Sequence, residues 1–245
     1  MTAALFLAEA GQLGHDRIVL AGAEGHHAAR VRRVRPGEPV DLTDGRGHVA
    51  ECLVAAVDGD TVTLDVRGRR DVPPPRPRIV VVQALPKGDR GELAVEMLTE
   101  VGADVIVPWP AARCVVEWRG ERGGRALERW RAHARESAKQ ARRPWLPEVR
   151  EPASTTAVAE LLRGCALGVV LHESATARLA ALAMPVDGDV GLVVGPEGGI
   201  TDDELSLLIA AGGLACRLGD TVLRSSTAGV AAAAAVLSHT VRWHQ

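Results

Sequence analysis

The sequence predicts an α/β protein in two parts, a small all-β module followed by a larger domain in which strands alternate with helices. Three observations carry that expectation. Pro73-Pro74-Pro75-Arg76-Pro77 packs four prolines into five residues, a connector that can continue neither a sheet nor a helix. Ahead of it, apolar residues recur with a period of two between turn signals. Behind it, short apolar runs alternate with segments of helical spacing. A chain of 245 residues, 47% hydrophobic and 24% charged, has the core to support one large domain or two modest ones.

Residues 1–72 make the first expected domain. A strand over 39–43 ends at Asp44-Gly45-Arg46-Gly47, a second over 49–57 ends at Asp58-Gly59-Asp60, and a third over 61–66 alternates strictly. Short strands so punctuated predict a small barrel. Residues 73–245 make the second domain. Strands are expected over 79–85, 105–107, 167–171, 191–194 and 215–218. Between them, Leu93, Met97 and Val101 set a helix over 92–101, a charged amphipathic helix covers 125–140, and further helices cover 201–211 and 226–240. That alternation argues for a largely parallel sheet.

Composition excludes some classes of function. A net charge of −2 rules out a uniformly basic nucleic-acid coat but leaves room for a local basic face. No apolar run is long enough to span a membrane, and the alanine-rich run 227–237 reads as a packed helix. Residues 1–10 show no basic region ahead of an apolar stretch, so a cytoplasmic protein without a signal peptide is expected. Cys52, Cys114, Cys165 and Cys216 are too dispersed for a metal clip, and read as small buried hydrophobes of a reducing compartment. No metal is expected.

The sharpest local signal is Gly191-Leu192-Val193-Val194-Gly195-Pro196-Glu197-Gly198-Gly199-Ile200-Thr201. A buried strand enters a glycine loop, and a helix follows whose Thr201-Asp202-Asp203-Glu204 fits a capping box. Glycines at a strand end let backbone approach a ligand where open α/β sheets bind ligands, although a tight turn explains the segment equally well. Neither a dinucleotide fingerprint nor a phosphate-cradling loop has this spacing. The second signal is Leu218-Gly219-Asp220-Thr221-Val222-Leu223-Arg224-Ser225-Ser226-Thr227-Ala228. Arg224 precedes a helix N-terminus, where the dipole disfavours a cation unless an anionic partner, or a surface ion pair, faces it.

Together the two loops resemble the SPOUT superfamily of knotted methyltransferases, and most closely its family that methylates N3 of a uridine in small-subunit ribosomal RNA. The resemblance extends to Lys87-Gly88-Asp89-Arg90, Glu100-Val101-Gly102, Arg113-Cys114, and Gln140 with Arg143. In the first domain it reaches His26-His27-Ala28-Ala29-Arg30-Val31-Arg32-Arg33 and Pro36-Gly37-Glu38. It implies a C-terminal trefoil-knotted methyltransferase domain behind a PUA-like RNA-binding barrel, a homodimer, and S-adenosyl-L-methionine as cofactor. It assigns the cofactor to Leu171, His172, Glu173, Gly195, Pro196, Glu197, Gly198, Ile200, Leu218, Gly219, Leu223 and Ser225. The chain departs from the family at Ser226, where an acidic residue is common, and at Met97, where a lysine is.

The implied partner is 16S ribosomal RNA or the small subunit. Between Arg113 and Arg150 eleven Arg or Lys stand against five Glu, a local phosphate-binding face or a solvated helix surface. Arg30, Arg32, Arg33 and Arg35 form a second basic cluster. Arg30, Arg33, Lys87, Arg113, Gln140 and Arg143 are the candidate RNA contacts. Methyl transfer from a sulfonium needs an aligned acceptor and help with the N3 proton. Arg224 is the candidate for stabilising the uracil anion and Glu197 a candidate base. Three other readings stand beside this one: a related enzyme modifying another position such as a ribose 2′-hydroxyl, an RNA-binding assembly factor without catalysis, and a dinucleotide-dependent oxidoreductase, disfavoured by the missing fingerprint.

Overall fold

The computed structural model describes residues 3–244. The chain divides into two compact units, Met1–Pro74 with Ala138–Leu146, and Pro75–Ser137 with Pro147–Gln245. The first unit therefore takes in a short stretch that the proline boundary alone assigns to the second.

Five strands build the first unit: β1 (Ala4–Leu7), β2 (Arg17–Leu20), β3 (Pro39–Thr43), β4 (His48–Asp58) and β5 (Thr61–Asp71). They pair in the order β1-β3-β4-β5-β2, with β1 parallel to β3 and the other neighbours antiparallel. The last three are the strands expected from alternation, with β4 and β5 longer. β1 and β2 have only four residues each, too few to show a period. They lie at opposite ends of the sheet order, so among the described residues strand pairing does not close the expected barrel. Phe6, Ile18, Leu20, Leu42, Val62 and Leu64 fill the core.

After β2 comes α1 (Gly22–His26), prolonged by a π turn over His27–Val31. Gly25 has no alternative there, because a Cβ would lie 2.4 Å from the Asp60 carbonyl oxygen. Within this unit the Lys139 ammonium is buried and donates to Glu24 Oε1 at 2.7 Å, while Glu24 Oε2 accepts the Leu7 N–H at 3.0 Å. One of the eleven cations counted between Arg113 and Arg150 is thus a structural ion pair. It cannot meet a phosphate.

The second unit contains β6 (Arg78–Ala84), α2 (Arg90–Val101), β7 (Val105–Trp109), α3 (Gly120–Gln140, its last residues in the first unit), β8 (Glu148–Val149), α4 (Thr155–Arg163), β9 (Leu167–Leu171), β10 (Asp189–Val194), α5 (Asp202–Ala210), β11 (Gly213–Cys216) and α6 (Ser225–Leu237). Its six-stranded sheet is parallel throughout, ordered β11-β9-β10-β6-β7-β8. Alternate residues of β6 enter two cores. Ile79 and Val81 pack with Leu98, Trp130 and Val236, whereas Val80 and Val82 pack with Val158, Leu162 and Leu208. Burial on both faces is why these strands read as unbroken apolar runs.

Two elements escape the sequence reading. β8 is too short to show a period, and α4 has only a local signal: Ser154 as N-cap, its Oγ accepting the Ala157 N–H at 3.2 Å, ahead of Val158 and Leu162. β11 ends two residues sooner than its apolar pattern suggests. There the Arg217 N–H turns to the Ala177 carbonyl at 2.9 Å, and the Arg217 carbonyl accepts from Leu179 at 3.0 Å. Among the described residues no helix is long and apolar enough to cross a membrane, and no group of His, Cys, Asp or Glu could hold a metal ion.

Candidate active site

Because β9, β10 and β11 run parallel, their carboxyl ends open at one edge of the sheet, the edge where α/β sheets receive ligands. The segments leaving them enclose a cleft of about 590 Å³, within the range of small-molecule sites. Leu171, His172 and Glu173 line it after β9, and Gly195, Pro196, Glu197 and Ile200 after β10. Leu218, Gly219, Leu223, Arg224 and Ser225 line it after β11. Arg217, Asp220, Thr221, Val222 and Ala228, to which the resemblance assigns no role, also face the cleft. Continuity was the available signal, since the whole stretch from Cys216 to Ser225 borders the cleft.

Gly198 is the one assigned cofactor residue outside the lining. It packs against Arg113: a Cβ there would lie 3.1 Å from Arg113 Cβ, and Arg113 Nη1 donates to the Gly198 carbonyl at 3.1 Å. Gly199 lines the cleft instead and holds φ +77°, a conformation that favours glycine. Its surroundings are open, the nearest atom to an added Cβ being Arg113 Nη1 at 3.7 Å. Gly199→Ala should therefore act through backbone strain, weakening S-adenosylhomocysteine binding about tenfold with the fold intact. Calorimetric titration beside a melting curve checks this, and an unchanged Kd would remove the loop from the site.

Hydrogen bonds hold both loops in place. Thr201 caps α5 and shares a capping box with Glu204, as the sequence pattern predicts. The buried Glu204 carboxylate also accepts from the Ala112 N–H at 2.9 Å and the Thr155 hydroxyl at 3.2 Å, tying the β10 loop to its neighbours. On the other loop, buried Gln83 donates from Nε2 to Ser225 Oγ at 2.9 Å. Ser226, the departure from the family pattern, is buried in the first turn of α6.

The cleft offers mixed chemistry. Val194, Ile200, Leu218, Leu223 and Ala228 give apolar wall, and Glu173 and Glu197 give carboxylates. Glu197 has a distant ion pair with Arg90 at 3.7 Å. Arg224 occupies the N-cap position of α6, its carbonyl accepting from Thr227 and Ala228, while its exposed side chain forms no ion pair among the described residues. Arg217 Nε is buried without a hydrogen-bond partner. Burial raises the Cys216 thiol above its usual range.

The candidate RNA contacts are distributed over both units. Lys87 is exposed in the loop after β6, and Arg113 is exposed beside Gly198. Arg33 is exposed at φ +54°, Gln140 is exposed, and Arg143 is half-buried. Arg30 lies 2.6 Å from Asp60, which also meets His26 at 3.1 Å; hydrogen bonds from Arg30 and His26 hold that carboxyl below its ordinary range. Arg119, Arg125, Arg129, Arg131 and Arg150 are paired with glutamates. Exposed pairs of this kind contribute little and exchange readily for a phosphate.

The RNA methyltransferase domain family matches residues 73–237, and the RNA methyltransferase PUA domain family matches residues 20–67. The chain is 49% identical over 230 residues to ribosomal RNA small subunit methyltransferase E of Mycobacterium bovis, a match covering 92% of this chain and 87% of that one. The Bacillus subtilis protein of the same name is 29% identical over 228 residues, covering 89% and 88%. A Legionella pneumophila protein described as a methyltransferase, solved with the bound cofactor SAM, superposes with a TM-score of 0.87 at 25% identity, over 98% of this chain and 99% of that one. The chain belongs to the RNA methyltransferase family that includes ribosomal RNA small subunit methyltransferase E.

Proposed function

We propose that the protein transfers the methyl group of S-adenosylmethionine to N3 of one uridine in 16S ribosomal RNA. The carrying observation is the cleft, which gathers every residue assigned to the cofactor except Gly198. The residues fit that group. Apolar wall and close backbone suit a flat adenine, the Glu173 and Glu197 carboxylates suit a sulfonium and an ammonium, and the unpartnered Arg217 Nε offers a donor. When bound, the cofactor would supply an electrophilic methyl, and the residues around it would have to help N3 of the acceptor give up its proton.

The protein's own residues orient and charge-balance that transfer. Leu218, Ile200 and Leu223 confine the cofactor, and the capped α5 and Gln83–Ser225 contact keep both loops still, so the acceptor meets a fixed methyl. Arg224 stabilises negative charge developing on the uracil ring. Glu197, held loosely by Arg90, accepts the proton directly or through water. Residues 1–72 serve as a PUA-like RNA-binding domain and 73–245 as a trefoil-knotted catalytic domain. The enzyme works as a cytoplasmic homodimer, a reading that suits the outward Val222 and Leu223 beside the cleft. It depends on RNA for its phosphate contacts, through Arg30, Arg33, Lys87, Arg113, Gln140 and Arg143.

Incubation with labelled S-adenosylmethionine and small ribosomal subunits lacking the modification, followed by nucleoside mass analysis, should yield 3-methyluridine. Label appearing as a 2′-O-methyl nucleoside would move the chemistry to the ribose. Cofactor binding without any transfer would leave an RNA-binding assembly factor.

A further inference from the structure

Arg217 carries an unspent donor at the cleft wall. Its Nε is buried with no partner, although a guanidinium taken from water ordinarily finds acceptors for its donors. Its Nη1 lies 3.4 Å from Asp220 Oδ1, and Arg178 Nη2 lies 3.5 Å from the same oxygen. Both distances exceed the roughly 2.7–2.9 Å of a formed charge-assisted bond. Asp220 is itself well exposed, with 75% side-chain accessibility. Two cations thus share one loosely held carboxylate, and the buried edge of Arg217 is left over.

The main chain of Arg217 is anchored on both sides. Its N–H and carbonyl are both engaged with the 177–179 segment, and Arg178 is bridged to it in parallel register. The main chain of Arg217 is therefore held where β11 ends, and its side chain lines a cleft whose other arginine, Arg224, stands at the start of α6. A planar fork with free donors is the group that recognises a carboxylate in bidentate fashion.

Building on the cofactor reading above, we propose that Arg217 binds the carboxylate of the cofactor's methionyl end, displacing Asp220, which Arg178 then retains. Arg217 is on this view a binding residue that distinguishes an amino-acid-bearing adenosyl ligand from a bare adenosine thioether. The adenosine part rests on apolar wall and backbone elsewhere in the cleft, so its affinity is independent of Arg217.

The test is calorimetric titration of the full chain with S-adenosylhomocysteine and with 5′-methylthioadenosine, which lacks the amino-carboxylate end. Arg217→Gln should weaken S-adenosylhomocysteine about ten- to a hundredfold, the loss expected when a charged hydrogen bond is removed, and leave methylthioadenosine within about twofold. Arg217→Lys keeps a cation and should fall between, which preserves the test if the glutamine variant misfolds. Equal losses for both ligands would overturn the proposal, because Arg217 would then act on the adenosine or on loop structure. Unchanged affinity for both would overturn it as well. A wild-type chain that binds neither ligand would instead overturn the methyltransferase reading itself.

Discussion

Arg224→Ala should lower single-turnover methyl transfer by about 10²–10³-fold, the scale of losing one preorganised donor at developing charge. Binding of cofactor and RNA should change far less, because the benefit belongs to the transition state. The position supports this. Arg224 stands at the N-cap of α6, where the helix dipole repels a cation, yet among the described residues no carboxylate neutralises it. On the proposed mechanism such a cation would meet an anion that appears during reaction. Arg224→Lys should recover part of the rate, since charge survives while the planar fork is lost. Raising the pH should partly rescue the alanine variant, because the uracil then loses its N3 proton without help. Rates measured at saturating RNA and cofactor decide the matter. A variant that loses RNA affinity but keeps its saturated rate would make Arg224 a positioning residue.

Much of the site was legible because its residues are consecutive. Strand, glycine loop and cap follow one another from Gly191 to Glu204, and each leaves a local mark: an apolar run, missing side chains, a Thr with Glu three residues on. Features set by distant partners left none. Gly198 and Gly199 are identical letters, and only the packing of Arg113 assigns the first to it and the second to the cleft. Lys139 reads as one more cation of an arginine-rich helix until Glu24 is seen beside it. Arg217 reads as a residue inside the strand expected over 215–218, and nothing local marks its Nε as buried without an acceptor. In the first unit β4 and β5 announce themselves by alternation, whereas β1 and β2 exist as strands only because longer neighbours pair with them.

Removing one partner of the Asp104–Arg242 pair should destabilise the second unit by about 3–5 kcal/mol, the range for leaving a buried charge uncompensated. Arg242 Nη1 reaches Asp104 Oδ2 at 2.6 Å, and the two side chains are only 16% and 6% exposed. Nothing here is a simple surface bridge. Asp104 Oδ2 also accepts the Ile79 N–H at 2.8 Å, and the guanidinium donates to the Pro77 carbonyl at 3.1 Å and the Gly102 carbonyl at 2.9 Å. The residues beyond α6 are thereby anchored to the start of β6 and the turn before β7, at the opposite end of α6 from Arg224 and Ser225. Asp104→Asn would leave the guanidinium short of its counter-charge, and Arg242→Met would take the guanidinium away from a buried carboxylate that still accepts the Ile79 N–H. Replacing both should cost less than the two single changes combined, since no lone charge then remains. Urea unfolding midpoints at constant slope measure each term. Below the transition, S-adenosylhomocysteine affinity should stay near the wild-type value, because the anchor holds the far end of the helix and neither Asp104 nor Arg242 lines the cleft. If both single variants unfold like the wild type, the pair is not stabilising and the C-terminal segment is held by apolar packing alone.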